Sequence, residues 1–481
     1  MSGNTSHKIL AYVNGYDQNV SGSNFYVTAV WPDGYKLHFV VECGQYYGKE
    51  MELNSSFPYK PSGVDLAFLT HCHIDHCGRF PKLIHDGFQG PIYATKGTAL
   101  LYPNAIRNSG NIVIANNKRQ GQKPDFDTVD IETSIQNIVQ HQKDYDIEYE
   151  YKGRLYFKFI RNCHLFGASS ILIRLSDPSK DVDDVTLFFL GDYNDKNLFV
   201  PYREVPRCVQ NTEISAFFTE STYGDSESDA IEYHFYDYLR KSIQNYHTTI
   251  FFAFSLGRSQ DILYLLKKAQ ESLWLPTEIP IYLDGSLTIS DTLLVYKNPD
   301  VLDIREDARN FLPDNLQLID KGIRPNIIET REKKIIVTSS GMGTYGPARD
   351  YIHSLIDVSN VCMIFGGYCT DDSIGRSLMN VPIGEETKVF GQDRIKRATV
   401  CYLEELSGHA RADRLVRHLS NFRYKSVLIN HGEPEKQESL KNRIINELHP
   451  SKGVFTVSRE VTFRVTSYGV DKHFFGVPNE F

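Results

Sequence analysis

Residues 71–79 read His-Cys-His-Ile-Asp-His-Cys-Gly-Arg (HCHIDHCGR) and directly follow the apolar run VDLAFLT at 64–70. That run predicts a buried strand whose carboxyl end delivers His71 into a loop. Side chains alternate along extended backbone, so His71 and His73 project to the same side. Cys72 falls out of phase with them and, with Cys77, reads as a packing residue. Asp75 and His76 can turn toward a second ion about 3.5 to 4 Å from the first, the spacing of two-metal hydrolases. Imidazole nitrogen and carboxylate oxygen are donors that zinc takes readily, and a catalytic site keeps one position open for water. The stretch is not the helical HExxH, whose histidines sit four apart on one face. Nor is it a zinc finger, which needs paired cysteines at longer spacing.

The chain around this stretch has 481 residues, more than a single core fills, which predicts two domains. A hydrophobic content of 41% and a charged content of 23% supply a sizeable core. The formal net charge of −8 argues against coating nucleic acid through bulk charge, while leaving room for a local basic groove. The opening MSGNTSHKIL is followed by no apolar run, so no signal peptide is expected. No window reaches the roughly 18 apolar residues of a membrane helix. Eight scattered cysteines suit reduced thiols, which predicts a cytoplasmic protein without a membrane partner.

Alternation in KILAYVNG (8–15), SNFYVTAVW (23–31) and YKLHFVVECG (35–44) predicts antiparallel strands. GRFPKLIHDGF (78–88) reads as a short helix closed by Gly87, and PIYAT (91–95) as the next strand. Residues 103–152 are polar and mixed in charge and read as surface helix and loop. LYFKFIRNCH (155–164), SSILIRL (169–175) and TLFFLGD (186–192) resume the strand pattern and bring His164 and Asp192 to strand ends. From about 225 to 407, strands alternate with helices, as in a parallel sheet with crossovers. A helix over 410–422, a strand over 425–432 and a long helix from Glu433 close the pattern.

The HxHxDH spacing resembles the metal motif of the metallo-β-lactamase superfamily, whose members are similar in needing a later histidine and a bridging aspartate at strand ends. CHLFGASS (163–170) supplies His164 and FLGDY (189–193) supplies Asp192. The resemblance implies an αββα sandwich of the α/β class. His71, His73 and His164 would then hold one zinc ion. Asp75, His76 and Asp192 would hold another, with Asp192 bridging. A strand-helix domain inserted after the bridging aspartate resembles the β-CASP nucleases. FFTESTYGD (217–225) matches their acidic motif at Glu220, ELSGHARAD (405–413) offers His409, and INHGEPE (429–435) offers His431. The resemblance runs from NVSGSNF (19–25) to INHGEP and implies a metallo-β-lactamase domain over 1–224 and 408–481. The inserted parallel-sheet β-CASP domain would span 225–407, with the cleft between the two.

Among relatives of this kind the chain looks closest to RNase J-like enzymes and the endonuclease subunit of messenger-RNA 3′-end processing. The DNA-cleaving Artemis-like branch usually has valine where this chain has His431. The resemblance implies a ribonuclease with two zinc ions per chain that activate a shared water to hydroxide. His431 would complete the second ion's shell. Asp75 would also orient the water, and His409, oriented by Glu220, would protonate the leaving oxygen. A DNA nuclease on the same scaffold is a second reading, and a non-catalytic scaffold subunit of an RNA-processing complex a third. Such scaffold relatives are expected to lose ligands, and here none is lost. Single-stranded RNA is the expected partner. A homodimer or an RNA-processing partner protein is compatible with the chain, and no further RNA-binding module is expected beside the catalytic fold.

Two positions depart from the family pattern: Glu42 stands where aspartate is common, and Cys163 precedes His164 where glycine is favoured. Glu42 would brace the metal loop rather than bind metal. In SSGMGTYGPARDYI (339–352), Gly341, Gly343 and Gly346 have the GxGxxG spacing of a dinucleotide fingerprint. The next strand, VCMIFGG, ends without the carboxylate a ribose would need, so no nicotinamide cofactor is expected. The turn, with Ser340, Gly341 and Gly343, is either a cradle for an RNA phosphate or a purely structural turn. Arg258 in FSLGRSQ, helped by Ser255 and Ser259, is either a phosphate partner or a solvated side chain. Tyr223, Tyr345 and Tyr368 are either base-stacking platforms or packing residues.

Overall fold

Residues 8–17, 19–228, 234–367, 369 and 373–475 are described by the computed structural model of the chain. The chain divides into two compact units, one of residues 1–228 with 409–481 and one of residues 229–408.

In the first unit, period-two alternation builds two seven-stranded sheets. The first runs in the order Gly469–Phe475, Val461–Thr466, Leu10–Gly15, Phe25–Val30, Lys36–Val41, Leu66–Phe68, Ile92–Tyr93. The second runs Val454–Thr456, Arg423–Ile429, Glu213–Thr219, Val185–Phe189, Ser169–Leu175, Leu155–Arg161, Tyr149–Tyr151. Their inner faces share one core, with Val13, Val27, Phe39 and Phe68 from the first sheet and Phe157, Ile171, Leu187 and Phe218 from the second. Full burial of each such side chain is worth about 1.5 to 3 kcal/mol, which gives the fold room to carry buried charge elsewhere. Helices Ala412–Leu419 and Pro434–Leu448 cover the outside of the second sheet, setting Leu415, Leu419, Leu440 and Ile444 against Phe188, Phe217 and Val427. Beside the first sheet, Asn137 of helix Thr128–Gln140 accepts the Ile92 N–H at 2.7 Å. The architecture is the expected αββα sandwich.

Strand Leu66–Phe68 is buried at every position, as its unbroken apolar run requires, and pairs in parallel with Lys36–Val41 and Ile92–Tyr93. In the second sheet, Val185–Phe189, Glu213–Thr219 and Arg423–Ile429 are likewise parallel. Glu42, His71, His164, Asp192, Glu220 and His431 all lie just past the carboxyl ends of these strands or of Leu155–Arg161.

The second unit is an all-parallel six-stranded sheet in the order Leu316–Ile319, Ile281–Asp284, Lys334–Thr338, Thr248–Phe252, Val361–Phe365, Thr399–Tyr402. Helices such as Arg258–Glu271 and Gly346–Leu355 cross between its strands.

The structure refines several local expectations. Residues 103–152 are mostly helical, as the reading of surface helix and loop allowed, but helix Lys96–Arg119 and helix Thr128–Gln140 also bury Tyr102, Ile106, Ile131 and Ile138. Polar Asn, Ser and Gly residues interrupt the first helix's apolar stripe and hide its period. After His73 the loop closes into a single helical turn, Ile74–Cys77, which carries Asp75 and His76. Strands Val461–Thr466 and Gly469–Phe475, absent from the sequence reading, extend the first sheet beyond Leu10–Gly15.

Candidate metal centre

The turn at 74–77 decides which way the motif's donors point. His73 keeps extended backbone at its head (φ −64°, ψ 145°), so His71 and His73 stay on one side while Asp75 and His76 rotate to another. The loop is fastened from behind: Cys43 N–H donates to His76 O at 2.8 Å, and Gln45 N–H to Ile74 O at 2.9 Å. Ser23 N–H donates to Asp75 O at 2.9 Å. Gly44 sits so close that a Cβ there would lie 1.6 Å from the Asp75 carbonyl oxygen. Arg79 closes the fastening, its guanidinium donating to Gly44, Leu53 and Ser56 carbonyls at 2.6 to 3.2 Å between the rings of Tyr46 and Phe57.

Two groups of donors face each other across Asp192. In the first, His73 Nδ1 lies 3.2 Å from His71 Nε2 and 3.1 Å from His164 Nε2. Asp192 Oδ2 is 3.6 Å from His71 Nε2 and 3.5 Å from His164 Nε2. Tetrahedral ligands about 2.0 to 2.2 Å from zinc stand about 3.3 to 3.6 Å apart, so these separations suit such an ion. In the second group, Asp192 Oδ1 is 3.2 Å from His76 Nε2. Asp75 Oδ2 lies 3.7 Å from His76 Nε2 and 3.5 Å from His431 Nε2. The ligand atoms of each group fall within 4.8 Å of one another. His76 Nε2, Asp192 Oδ1 and His431 Nε2 are buried with no hydrogen-bond partner. Leaving such groups unsatisfied costs about 1 to 3 kcal/mol each, more where charged, and a cation would satisfy all three at once. The donor set therefore fits a metal-binding cluster.

Electrostatics separates the groups. Burial drives His71 well below the usual imidazole range and His73 down to about 4, leaving both neutral with lone pairs available. Burial opposes charge in the second group too, yet Asp192 and Asp75 outweigh it and raise His76 well above its ordinary value and His431 to about 9. Burial pushes Asp192 up, but His431, His76 and His409 prevail and hold it well below the carboxylate range. Asp75 follows the same balance, held at about 2 chiefly by His431 and His76 against burial.

Glu220 and His409 form a pair at the edge of the first group. His409 Nδ1 is 2.8 Å from Glu220 Oε2, and Glu220 Oε1 accepts the Tyr193 N–H at 2.6 Å. That leaves His409 Nε2 facing the centre, 3.8 Å from Asp192 Oδ2. Glu42, in left-handed backbone at φ 67°, accepts the Thr70 N–H at 3.3 Å and stands 3.7 Å from His76 Nδ1. It contacts the metal loop and lies outside both ligand groups.

Sequence reading missed two hydroxyls. Thr70 Oγ1 is 3.0 Å from His71 Nδ1, and Thr222 Oγ1 is 3.1 Å from His431 Nδ1. Each occupies one ring nitrogen and so assigns Nε2 to the centre. The signal available was a threonine at a strand end beside a ligand, which is common without such a role.

The expected substrate residues Arg258, Ser340, Gly341 and Gly343 belong to the second unit. The Arg258 guanidinium is paired with Asp261 in the first turn of its own helix. Ser259 donates to Phe254 O at 2.8 Å, and Ser255 accepts from Thr288 at 3.2 Å. In the glycine turn, Gly343 N–H donates to Ser340 O at 3.1 Å, Tyr345 N–H to Ser340 Oγ at 3.3 Å, and Ala348 N–H to Ser339 O at 2.9 Å. Gly341 packs on Phe254, where a Cβ would meet the backbone nitrogen at 3.0 Å. These bonds close the turn on itself. Tyr223 is buried beneath Arg411, whose guanidinium lies 3.8 Å from its ring centroid, so it packs rather than offering a stacking face. Tyr345 is 72% exposed, and Tyr368 lies outside the described residues.

Comparison with known proteins places a Beta-Casp domain over residues 259–378. A Zn-dependent metallo-hydrolase RNA specificity domain matches residues 395–457 and includes His409 and His431. The chain is 27% identical over 410 residues to a ribonuclease of Thermus thermophilus, covering 82% of this chain and 88% of that protein. It is 26% identical to a probable RNase of Methanocaldococcus jannaschii, covering 85% and 90%. Similarity to the transcription termination factor FttA of Methanococcus maripaludis is 25% over 82% of this chain and 63% of that protein.

Proposed function

As a member of the β-CASP metallo-β-lactamase ribonuclease family, this chain is, we propose, a zinc-dependent enzyme that hydrolyses phosphodiester bonds of single-stranded RNA. The observation that carries the two-ion reading is Asp192, whose Oδ2 faces His71 and His164 while its Oδ1 faces His76. A carboxylate shared in this way is what a pair of ions a few ångströms apart requires. His71, His73 and His164 would hold one zinc ion, and Asp75, His76 and His431 the other, with Asp192 common to both. Bound there, the pair supplies Lewis-acid chemistry: a water acidic enough to attack near neutral pH, and positive charge against the phosphate oxygens.

The chain's own residues do the rest. Asp75 has a second carboxylate oxygen beyond the one near His431, and it orients the attacking water. Glu220 fixes His409 through Nδ1, so that Nε2 carries the proton to be delivered to the leaving oxygen. Tyr193 N–H on the other Glu220 oxygen keeps that carboxylate from swinging away. Thr70 and Thr222 hold the ring orientations of His71 and His431.

Metal analysis paired with a cleavage assay on end-labelled single-stranded RNA and matched DNA tests the proposal. About two zinc ions per chain, with chelator-sensitive cleavage of RNA in preference to DNA, is the expected result. Preferential cleavage of DNA would transfer the assignment to a DNA nuclease, and a chain that binds no zinc would overturn it.

A further inference from the structure

His431 stands in left-handed backbone, φ 49°, a conformation that side chains other than glycine rarely hold without support. Both of its backbone polar groups are pinned. Its carbonyl accepts the Ser221 N–H at 3.0 Å, and its N–H donates to Asp17 Oδ2 at 3.1 Å. Asp17 follows strand Leu10–Gly15, more than four hundred positions away in sequence (|i−j| = 414). Its other oxygen, Oδ1, is sealed from solvent with no hydrogen-bond partner. A carboxylate this deeply enclosed is costly to maintain, and the Asn430 side chain and Asp17's own backbone ease that cost alongside the His431 N–H.

We propose that Asp17 is a positioning residue for the second metal: its carboxylate locks His431 in the left-handed conformation that aims the imidazole at Asp75. Rotation of His431 out of that conformation would carry Nε2 away from Asp75 Oδ2, which it now approaches to 3.5 Å. The lock works together with the close contact behind it, where a Cβ on Gly432 would lie 2.2 Å from Ser221 Oγ. Asp17 lies outside both matched family segments, 259–378 and 395–457.

This inference rests on the two-ion reading, and the experiment separates the two. Zinc per chain is measured for wild type, Asp17→Ala and Asp17→Asn after dialysis against graded chelator buffers. Circular dichroism melts of the same metal-free samples run beside them. Asp17→Ala is expected to lose one ion at a free-zinc level at least tenfold higher than wild type, while the other ion is retained as before. Asp17→Asn keeps an acceptor for the His431 N–H and is expected to recover most of that loss. Equal retention of both ions in Asp17→Ala overturns the role of Asp17 alone, as does parallel weakening of both ions with a lowered melt. Should Asp17→Ala not fold, Asp17→Ser, which shortens the acceptor but stays polar, carries the same expectation. A wild-type chain binding fewer than two ions would bring down the two-ion reading and this inference with it.

Discussion

The two halves of the centre are built from the same kinds of side chain and reach their charge states by opposite routes. Burial pushes His71 and His73 below the usual imidazole range, whereas Asp75 and Asp192 outweigh burial and push His76 and His431 above it. Burial alone therefore does not set the state of an imidazole; the nearest carboxylate does. One half presents ready lone pairs, and in the other a bound cation would have to displace the protons that the carboxylates favour.

The largest effect expected from testing this contrast is His73→Ala, which removes a donor from the neutral half. Cleavage should fall by about 10^3-fold or more, since metal charge stabilisation is worth several kcal/mol, and zinc content should drop with it. Retained zinc with intact cleavage would break the division into halves. Next comes His409→Ala, which removes a ring at the edge of the first group, 3.8 Å from Asp192 Oδ2, and no proposed ligand. Zinc should stay at the wild-type level while the rate drops about 10^2- to 10^4-fold, and Glu220→Gln should follow it with a smaller loss. Equal zinc loss in His73→Ala and His409→Ala would show His409 to be a ligand instead.

The hydroxyls sharpen the contrast. Thr70→Val should weaken only the ion of the first half and Thr222→Val only that of the second, each by about 10- to 100-fold, read as zinc retained against chelator. If both variants weakened the same ion, the halves would not be separable. The smallest effect concerns His418, a buried imidazole stacked on Tyr193 at 4.0 Å and driven to about 3 by burial. Its folded-state value lies below the ordinary 6.5, so the unfolded chain binds the extra proton. The stability it contributes is complete above pH 6.5 and is lost as pH falls toward 3. His418→Leu should therefore resist acid better than wild type by about 2 kcal/mol at pH 5, seen as a smaller fall in denaturation midpoint.

Much of the centre was readable from sequence because its donors cluster: His71, His73, Asp75 and His76 fall within six residues, and the apolar run before them fixes where the loop begins. His164, Asp192, Glu220 and His431 were singled out through the family resemblance, whose motifs ask for such residues, and the strand ends in this sequence supply them. Asp17, Thr70 and Thr222 were not, since their roles depend on partners brought near by tertiary structure and their residue types are ordinary in turns. Arg258 shows the converse. A helix-start arginine looked available for phosphate, but Asp261, three positions on, lies within its reach. The segment 103–152 reads as surface helix and loop; its buried positions escape notice because polar residues dilute the helix period.

The strand order has a consequence for how the protein comes into being. Strand Arg423–Ile429 fills the place beside Glu213–Thr219, and Val461–Thr466 fills the place beside Leu10–Gly15. While a ribosome is still working through the first four hundred residues, both of those strands wait with open edges, the condition that invites mispairing. The same nascent chain lacks His409 and His431. It emerges among RNA, its proposed substrate, without the proposed proton donor or one proposed metal ligand, and so would gain the proposed activity only after position 431 has been made.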